Sequence, residues 1–350
     1  MQKKKTCDLK EYYIAYMDLL GYKEYFKENP DTVADFFNEI KKAISQAKES
    51  ISISKKVEYR LFSDNIVIFT EVKQDKYEKM SGLLTLLIIV AQVQRDFVLD
   101  HNLFLRGGIT QGQMCVDEEF LFGQGLIDAV LMEETACYPR VLISDKIVKA
   151  IENFEYVSKE EVQKAKDLKS KLNNKESLTD NQQRQLKRTI AKLNYDSIVK
   201  YVDFSLILVW GNEQAILNYI DDTDDYVCEF QDDLDKLEQY CFSEKQLVAT
   251  ENLKKDLIKH KRRVTAQLKK YAGSASEVPD LKEEAKREKI LKKYVWVCKY
   301  HNAVCDGYNL KNYKIKGSTQ LDDVSLALQY AFKKEQQYYL GVSNNEKKDK

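Results

Sequence analysis

Apolar and polar positions along the chain fall into runs whose period predicts the elements. Residues 11–20, EYYIAYMDLL, read as a buried strand in which apolar residues flank one acid, Asp18. Gly21 ends it, and YKEYFKENP starts a helix that stops before Pro30. VADFFNEIKKAISQAKESI repeats its apolar positions near 3.6 residues and predicts a second helix. VEYRLFSDNIVIFTEV predicts a β-hairpin with Ser63-Asp64-Asn65 at its tip. Residues 81–100 predict a helix packed on a sheet. FLRGGITQGQMCVD predicts a glycine-bearing strand and a turn, residues 126–137 a helix, and RVLIS a further strand.

After Ile151 the pattern changes. Residues 158–193 are polar and charged and read as a helical hairpin on the surface. YVDFSLILVW and EQAILNYI return to strand patterning and complete the sheet. From about Asp222 the chain is helical and heavily charged to about Gln336, and NNEKKDK is a loose tail. This divides the chain into residues 8–221, with the insertion at about 158–193, and a helical C-terminal region at 222–340. No internal repeat is present.

Composition narrows the classes. The chain has 350 residues, and at 43% hydrophobic residues it can bury a sizeable core, which excludes a disordered chain. Its 56 basic and 56 acidic side chains cancel, arguing against a general nucleic-acid binder. The longest apolar run, residues 83–93, is interrupted by Thr85 and Gln92, short of a membrane span. The N-terminus is basic without an apolar stretch, so no secretory signal is read. Seven cysteines without a CxxC pair argue against a disulfide framework and a zinc site, and point to free thiols in the cytoplasm. The three histidines, His101, His260 and His301, show no i, i+4 pairing, which disfavours a histidine metal site.

Two acids stand where an acid is costly. Asp18 lies inside IAYMDLL and Asp64 at the tip of LFSDNIVIF. A carboxylate among apolar strand residues needs a partner, and a hard divalent cation is one; the plainer reading is that either acid caps a turn. Strand, acid, Gly21 and then a helix beginning at Tyr22 would turn backbone N–H groups toward a phosphate, unless this is an ordinary strand-to-helix turn. Arg106 starts a strand carrying Gly107, Gly108 and Gly112. It could pair with a phosphate where the glycines allow close approach, or it could be a solvated strand-end residue.

The order AYMDLLGYKEYF, FSDNIVIF, LRGGITQG and FGQGLIDAVLMEETACYPRVLIS resembles the class III nucleotidyl cyclase catalytic domain, with its nearest likeness among the bacterial pyrimidine cyclases of Pycsar antiphage systems. EKILKKYVWVCKYHN also resembles the C-terminal helix of those cyclases. The resemblance covers roughly residues 10–221 and that segment. It implies an α+β, ferredoxin-like domain with an antiparallel sheet. It also implies two copies meeting head to tail, with each active site built from both. Asp18, Asp64 and the Leu19 carbonyl would hold two magnesium or manganese ions; Gly21, Tyr22 and Arg106 would face the triphosphate. The product would be a 3′,5′-cyclic nucleotide, sensed by a separate effector.

In the same resemblance Arg60 replaces the adenylyl lysine or guanylyl glutamate, and Phe120 the aspartate or cysteine. Phe120 offers adenine's amine no acceptor and Arg60 offers guanine none, so a pyrimidine is expected. UTP is favoured over CTP because Arg60 presents donors only, although a rotated cytosine could offer O2 and N3. The family's helix asparagine and arginine fall on Ile127 (or, with a slip, Asp128) and Leu131. Arg140 is then the candidate transition-state donor, or alternatively a residue holding its own loop. The competing expectation is a catalytically silent, cyclase-like module that dimerises or binds nucleotide. Neither nucleic acid nor membrane is an expected partner.

Overall fold

A computed structural model describes residues 8–28, 37, 38, 40–42, 44, 45, 57–205, 207–210, 214–220, 250–272 and 281–315. The strands are β1 Lys10–Leu20, β2 Glu58–Phe62, β3 Asn65–Glu71, β4 Phe104–Val116, β5 Leu121–Phe122, β6 Val141–Ile143, β7 Ile207–Trp210 and β8 Gln214–Leu217. The helices are α1 Tyr22–Glu28, α2 Lys76–Asp96, α3 Gln124–Thr135, α4 Asp145–Glu152, α5 Lys159–Asn173, α6 Asp180–Ser205, α7 Glu251–Ala272 and α8 Leu281–Gly307. The sheet order is β2-β3-β1-β4-β6-β8-β7, with β5 pairing β4 off this path. The segment β2-β3-β1-β4 is antiparallel throughout, which is the ferredoxin-like arrangement. β6 joins β4 in parallel, so the antiparallel expectation holds for every described strand pair except this one.

From Tyr12 to Leu20 β1 is apolar or aromatic except at Asp18, because both of its faces are covered. Tyr13, Ala15, Met17 and Leu19 point into the core shared with α2. Ile14 points into a second core, with Val67, Phe69, Met114 and Ala129, under α3; Tyr12 and Tyr16 pack against it. The two-residue period therefore carries Asp18 onto the α3 face. α2 is buried on all sides from Met80 to Gln94, so it carries no amphipathic face there. The segment Lys76–His101 is long and apolar enough to cross a membrane, yet 89% of its apolar window is buried inside the fold.

Glycines set the spacing on the α3 face. A Cβ on Gly108 would collide with Met132 and the Ala129 carbonyl, and one on Gly112 would lie 2.7 Å from Gly125 Cα. LRGGITQG thus serves helix–sheet approach, in place of the backbone–phosphate approach read from the sequence.

α5 and α6 form the expected hairpin with a small core of its own, built from Val157, Ala165, Leu168, Leu178, Leu186 and Leu193. The expected strand at YVDFSLILVW is shorter: α6 runs on to Ser205 and only Ile207–Trp210 is strand. The C-terminal helices share a core with the sheet, where Phe104, Leu142, Ile216 and Tyr219 meet Val264, Trp296 and Tyr300. Of the described cysteines Cys137, Cys298 and Cys305 are free, whereas Cys115 is disulfide-bonded, contrary to the all-thiol expectation. The stretches expected to be helical at 222–249 and 316–336, and the tail, lie outside the described residues.

Candidate functional site

The site forms where β1 ends beside the β2–β3 tip. Asp18 pairs across β1 with Asn65 on one side and Arg106 on the other. The tip is held to β1 by the Leu19 N–H, which donates to the Asp64 carbonyl oxygen at 2.9 Å. Ser63 takes φ 56, a left-handed conformation costing roughly 1 kcal/mol for a side-chain-bearing residue. Gly21, at φ 87 with open space around it, makes the turn from β1 into α1.

Arg106 binds two carboxylates. Its Nη2 lies 3.2 Å from Asp18 Oδ2 and also pairs with Oε1 of Glu133, a buried residue of α3. Burial raises the Asp18 pKa; Arg106 opposes this and the negative charge of Asp64 adds to it. Glu133 is raised in the same way, by burial first, with Arg106 opposing and Asp18 adding. Tyr16 donates its hydroxyl to Asn65 Oδ1 at 2.6 Å, and its pKa is pushed up to about 12 by burial and by Glu133, Asp18 and Asp64. Two rings hold α8 against this end of the sheet: Tyr294 meets Phe104 edge-on at 5.4 Å, and Trp296 stacks on Tyr138 at 5.9 Å. Beside Tyr294, Lys293 is half-buried. Its pKa is lowered by burial and by the positive charges of Arg106 and Lys289, with Asp18 opposing. Three acids, Asp18, Asp64 and Glu133, and two cations, Arg106 and Lys293, thus act on one another at this end of the sheet.

Hard carboxylate oxygens in mutual repulsion suit magnesium or manganese, because a divalent cation relieves the repulsion Asp64 exerts on Asp18. Among the described residues no three His, Cys, Asp or Glu side chains converge as a complete cage. A cation held by Asp18 and Asp64 would take one or two carboxylates from the protein and the rest from phosphates and water, as magnesium commonly does.

The expected residues divide into groups. Asp18, Leu19, Asp64 and Arg106 come together, with Arg106 lying against Asp18 of the same chain. Tyr22 packs its ring on Phe26 at 4.4 Å. Arg60 and Phe120 are both tied to Asp117. Arg60 donates to the Tyr59 and Asp117 carbonyls at 3.0 and 3.4 Å and lies 5.7 Å over the Phe69 ring. Phe120 sits in the adjoining β4–β5 turn, where its carbonyl accepts from the Asp117 N–H. Phe120 is 50% exposed, so it is not a core residue. Arg140 is buried; its Nε donates to the Ala136 carbonyl at 2.9 Å and its guanidinium lies over Tyr138. That geometry is the loop-holding role and does not present Arg140 as a transition-state donor. Ile127 and Leu131 stand one turn apart on α3, both about half exposed. Glu133 and Lys293 were not singled out in the sequence; nothing in a charged helix distinguishes an acid or lysine that faces inward until the helix is docked.

No protein-family model and no curated protein matches the chain. Among solved structures, the adenylyl cyclase CyaB from P. aeruginosa is similar over 42% of this chain and 83% of that one, at 14% identity and a TM-score of 0.35. A bacterial light-regulated adenylyl cyclase is similar over 42% of this chain and 47% of that one, at 17% identity and a TM-score of 0.30. A class III adenylyl cyclase-like ATP-binding protein from Pseudomonas aeruginosa is similar over 41% and 35%, at 11% identity and a TM-score of 0.29.

Proposed function

We propose that the chain is a nucleotidyl cyclase that converts a pyrimidine nucleoside triphosphate, UTP before CTP, into the 3′,5′-cyclic nucleotide and pyrophosphate. The observation that carries this reading is the half-buried Asp18 carboxylate, ringed by Asp64, Arg106 and Glu133 at the end of β1. Asp18 and Asp64 would hold two divalent cations with the Leu19 carbonyl. When bound, such ions neutralise the triphosphate and favour loss of the 3′-hydroxyl proton.

The chain's own residues do the positioning. Arg106 exchanges Asp18 for a phosphate oxygen while Glu133 keeps its guanidinium aimed, and Lys293 supplies a second positive charge to the triphosphate. The 3′ oxygen attacks the α-phosphorus in line, the bond from that phosphorus to the β-phosphate bridging oxygen breaks, and pyrophosphate departs with the released charge facing Arg106 and Lys293. The hydroxyl proton passes to water. Arg60 would read the base edge beside Phe120.

Phe120, Phe122, Ile127 and Leu131 leave an exposed apolar strip along β5 and α3, which supports the expected homodimer. The resemblance described above extends the proposal to second-messenger synthesis in antiphage defence, acting through a separate effector. The alternative, a silent nucleotide-binding module, is favoured by apolar Ile127 and Leu131 where the resembled family has polar groups. Incubation with each nucleoside triphosphate and manganese separates the two. Pyrophosphate and a cyclic pyrimidine nucleotide support the enzyme; stoichiometric binding without turnover supports the module.

A further inference from the structure

The neutral total charge hides an uneven distribution. α7 carries eight Lys and Arg against two acids, while residues 221–238 of the sequence carry nine Asp and Glu against one Lys. On α7 the residues Ile258, Lys261, Arg262, Thr265 and Lys269 recur at three- and four-residue spacing and so share one face. Together with Asn312 and Tyr313 of the 3₁₀ turn Lys311–Tyr313 they line a groove of about 830 Å³ with no acid in its wall. Lys261 Nζ donates to the Lys314 carbonyl at 2.6 Å and has further donors to spare. Among the described residues, Arg262 and Lys269 have no ion-pair partner.

We infer that this groove binds single-stranded nucleic acid, with Lys261, Arg262 and Lys269 on phosphates and the Tyr313 ring against a base. Cations alone would suit any polyanion. The combination of an aromatic ring, an exposed aliphatic Ile258 and an amide at Asn312 between those cations is what a base requires and an acidic peptide does not. The groove is concave, which suits a strand and not a membrane surface. It is built from α7 and the turn that follows α8, apart from the residues around Asp18, so it adds a binding activity to the proposed enzyme.

The test is fluorescence anisotropy of a labelled 15-nucleotide single-stranded RNA of mixed sequence with the full chain. Saturable binding is expected. With about three phosphate contacts, affinity should fall roughly twenty-fold between 50 and 200 mM salt. Arg262→Gln and Lys269→Gln, both at exposed positions, should each flatten the logarithmic salt slope by about 0.7. Tyr313→Leu should weaken RNA binding about 5- to 100-fold while leaving inorganic polyphosphate binding unchanged, because only the base stacks. Asp18→Asn should bind the RNA as the parent does. Absent binding at 50 mM salt, parent-like binding by the Arg262 and Lys269 variants, or equal affinity for poly-glutamate would overturn the inference. So would an equal effect of Tyr313→Leu on RNA and polyphosphate.

Discussion

Burying two imidazoles in contact fixes their protons and makes stability depend on pH. His260 and His301 are fully buried and stacked, with ring planes 4° apart and Nδ1 atoms 3.1 Å apart. His301 Nε2 faces the Tyr313 carbonyl at 3.1 Å, so this nitrogen carries the proton and His301 Nδ1 accepts. His260 Nδ1–H must then donate to it, and the Tyr219 hydroxyl donates to His260 Nε2 at 3.0 Å. The chain of donors is complete with both rings neutral, and a proton added to His301 Nδ1 would set two N–H groups against each other. Burial lowers both pKa values: His301 falls to about 4, with Lys261 contributing, and His260 goes well below its usual value, with His301 contributing. Above the ordinary histidine pKa near 6.5 neither state gains a proton; below it the unfolded chain does and the folded one does not. Stability is therefore full above about pH 6.5 and falls as pH drops toward 4. Each histidine contributes about 1.4 kcal/mol per pH unit, or roughly 2 kcal/mol at pH 5.

His260→Gln removes one of these titrations while keeping a donor and an acceptor. It should cost about 1–3 kcal/mol at pH 7 through imperfect hydrogen bonding. That penalty should shrink by about 2 kcal/mol at pH 5, where the parent has lost its histidine contribution. Urea unfolding across this range, followed by fluorescence including that of buried Trp296, measures both curves. Taking the difference between them cancels the carboxylates, some of which titrate in the same window. Parallel curves for parent and variant would refute the proton assignment.

Three further outcomes follow from the site and its packing. Glu133→Gln should raise the triphosphate KM about tenfold with less change in kcat, because Arg106 loses a charge-assisted bond; it should also lower the Tyr16 pKa, read against Tyr16→Phe in a tyrosine titration. Lys293→Met should weaken triphosphate binding about tenfold in calorimetry while leaving thermal stability equal or higher, since the lysine is half-buried beside other cations. Gly108→Ala should cost about 1–3 kcal/mol in urea unfolding by lifting α3 from β4, and an unchanged midpoint would show that α3 is not seated there.

What the sequence made legible follows from range. β1, the hairpin and β4 are marked by local alternation and turn residues, and all appear within a residue or two of their expected bounds. Asp18 and Asp64 were visible because each breaks an apolar pattern. The start of YVDFSLILVW was misread because an apolar run does not say whether a preceding helix continues, and α6 carries its 3.6 period to Ser205. Glu133 sits beside Glu134 and Lys293 beside Lys292, so each looks like a solvated charge until sheet register brings Arg106 near. His260 and His301 are 41 residues apart, and only the pairing of α7 with α8 joins them. Arg140 lacked any pattern that tells a loop anchor from a catalytic donor.

Asp18 and Asp64 are proposed to serve one metal-dependent cyclisation. The most direct measurement is pyrophosphate release, with mass-spectrometric identification of the nucleotide product, from UTP, CTP, ATP and GTP with manganese. The comparison is parent against Asp18→Asn and Asp64→Asn, each confirmed folded by circular dichroism. Cyclic UMP in excess of cyclic CMP is expected from the parent, and a loss of at least about a hundredfold in both variants. Retained turnover in either folded variant, or a cyclic purine nucleotide as the main product, would contradict it.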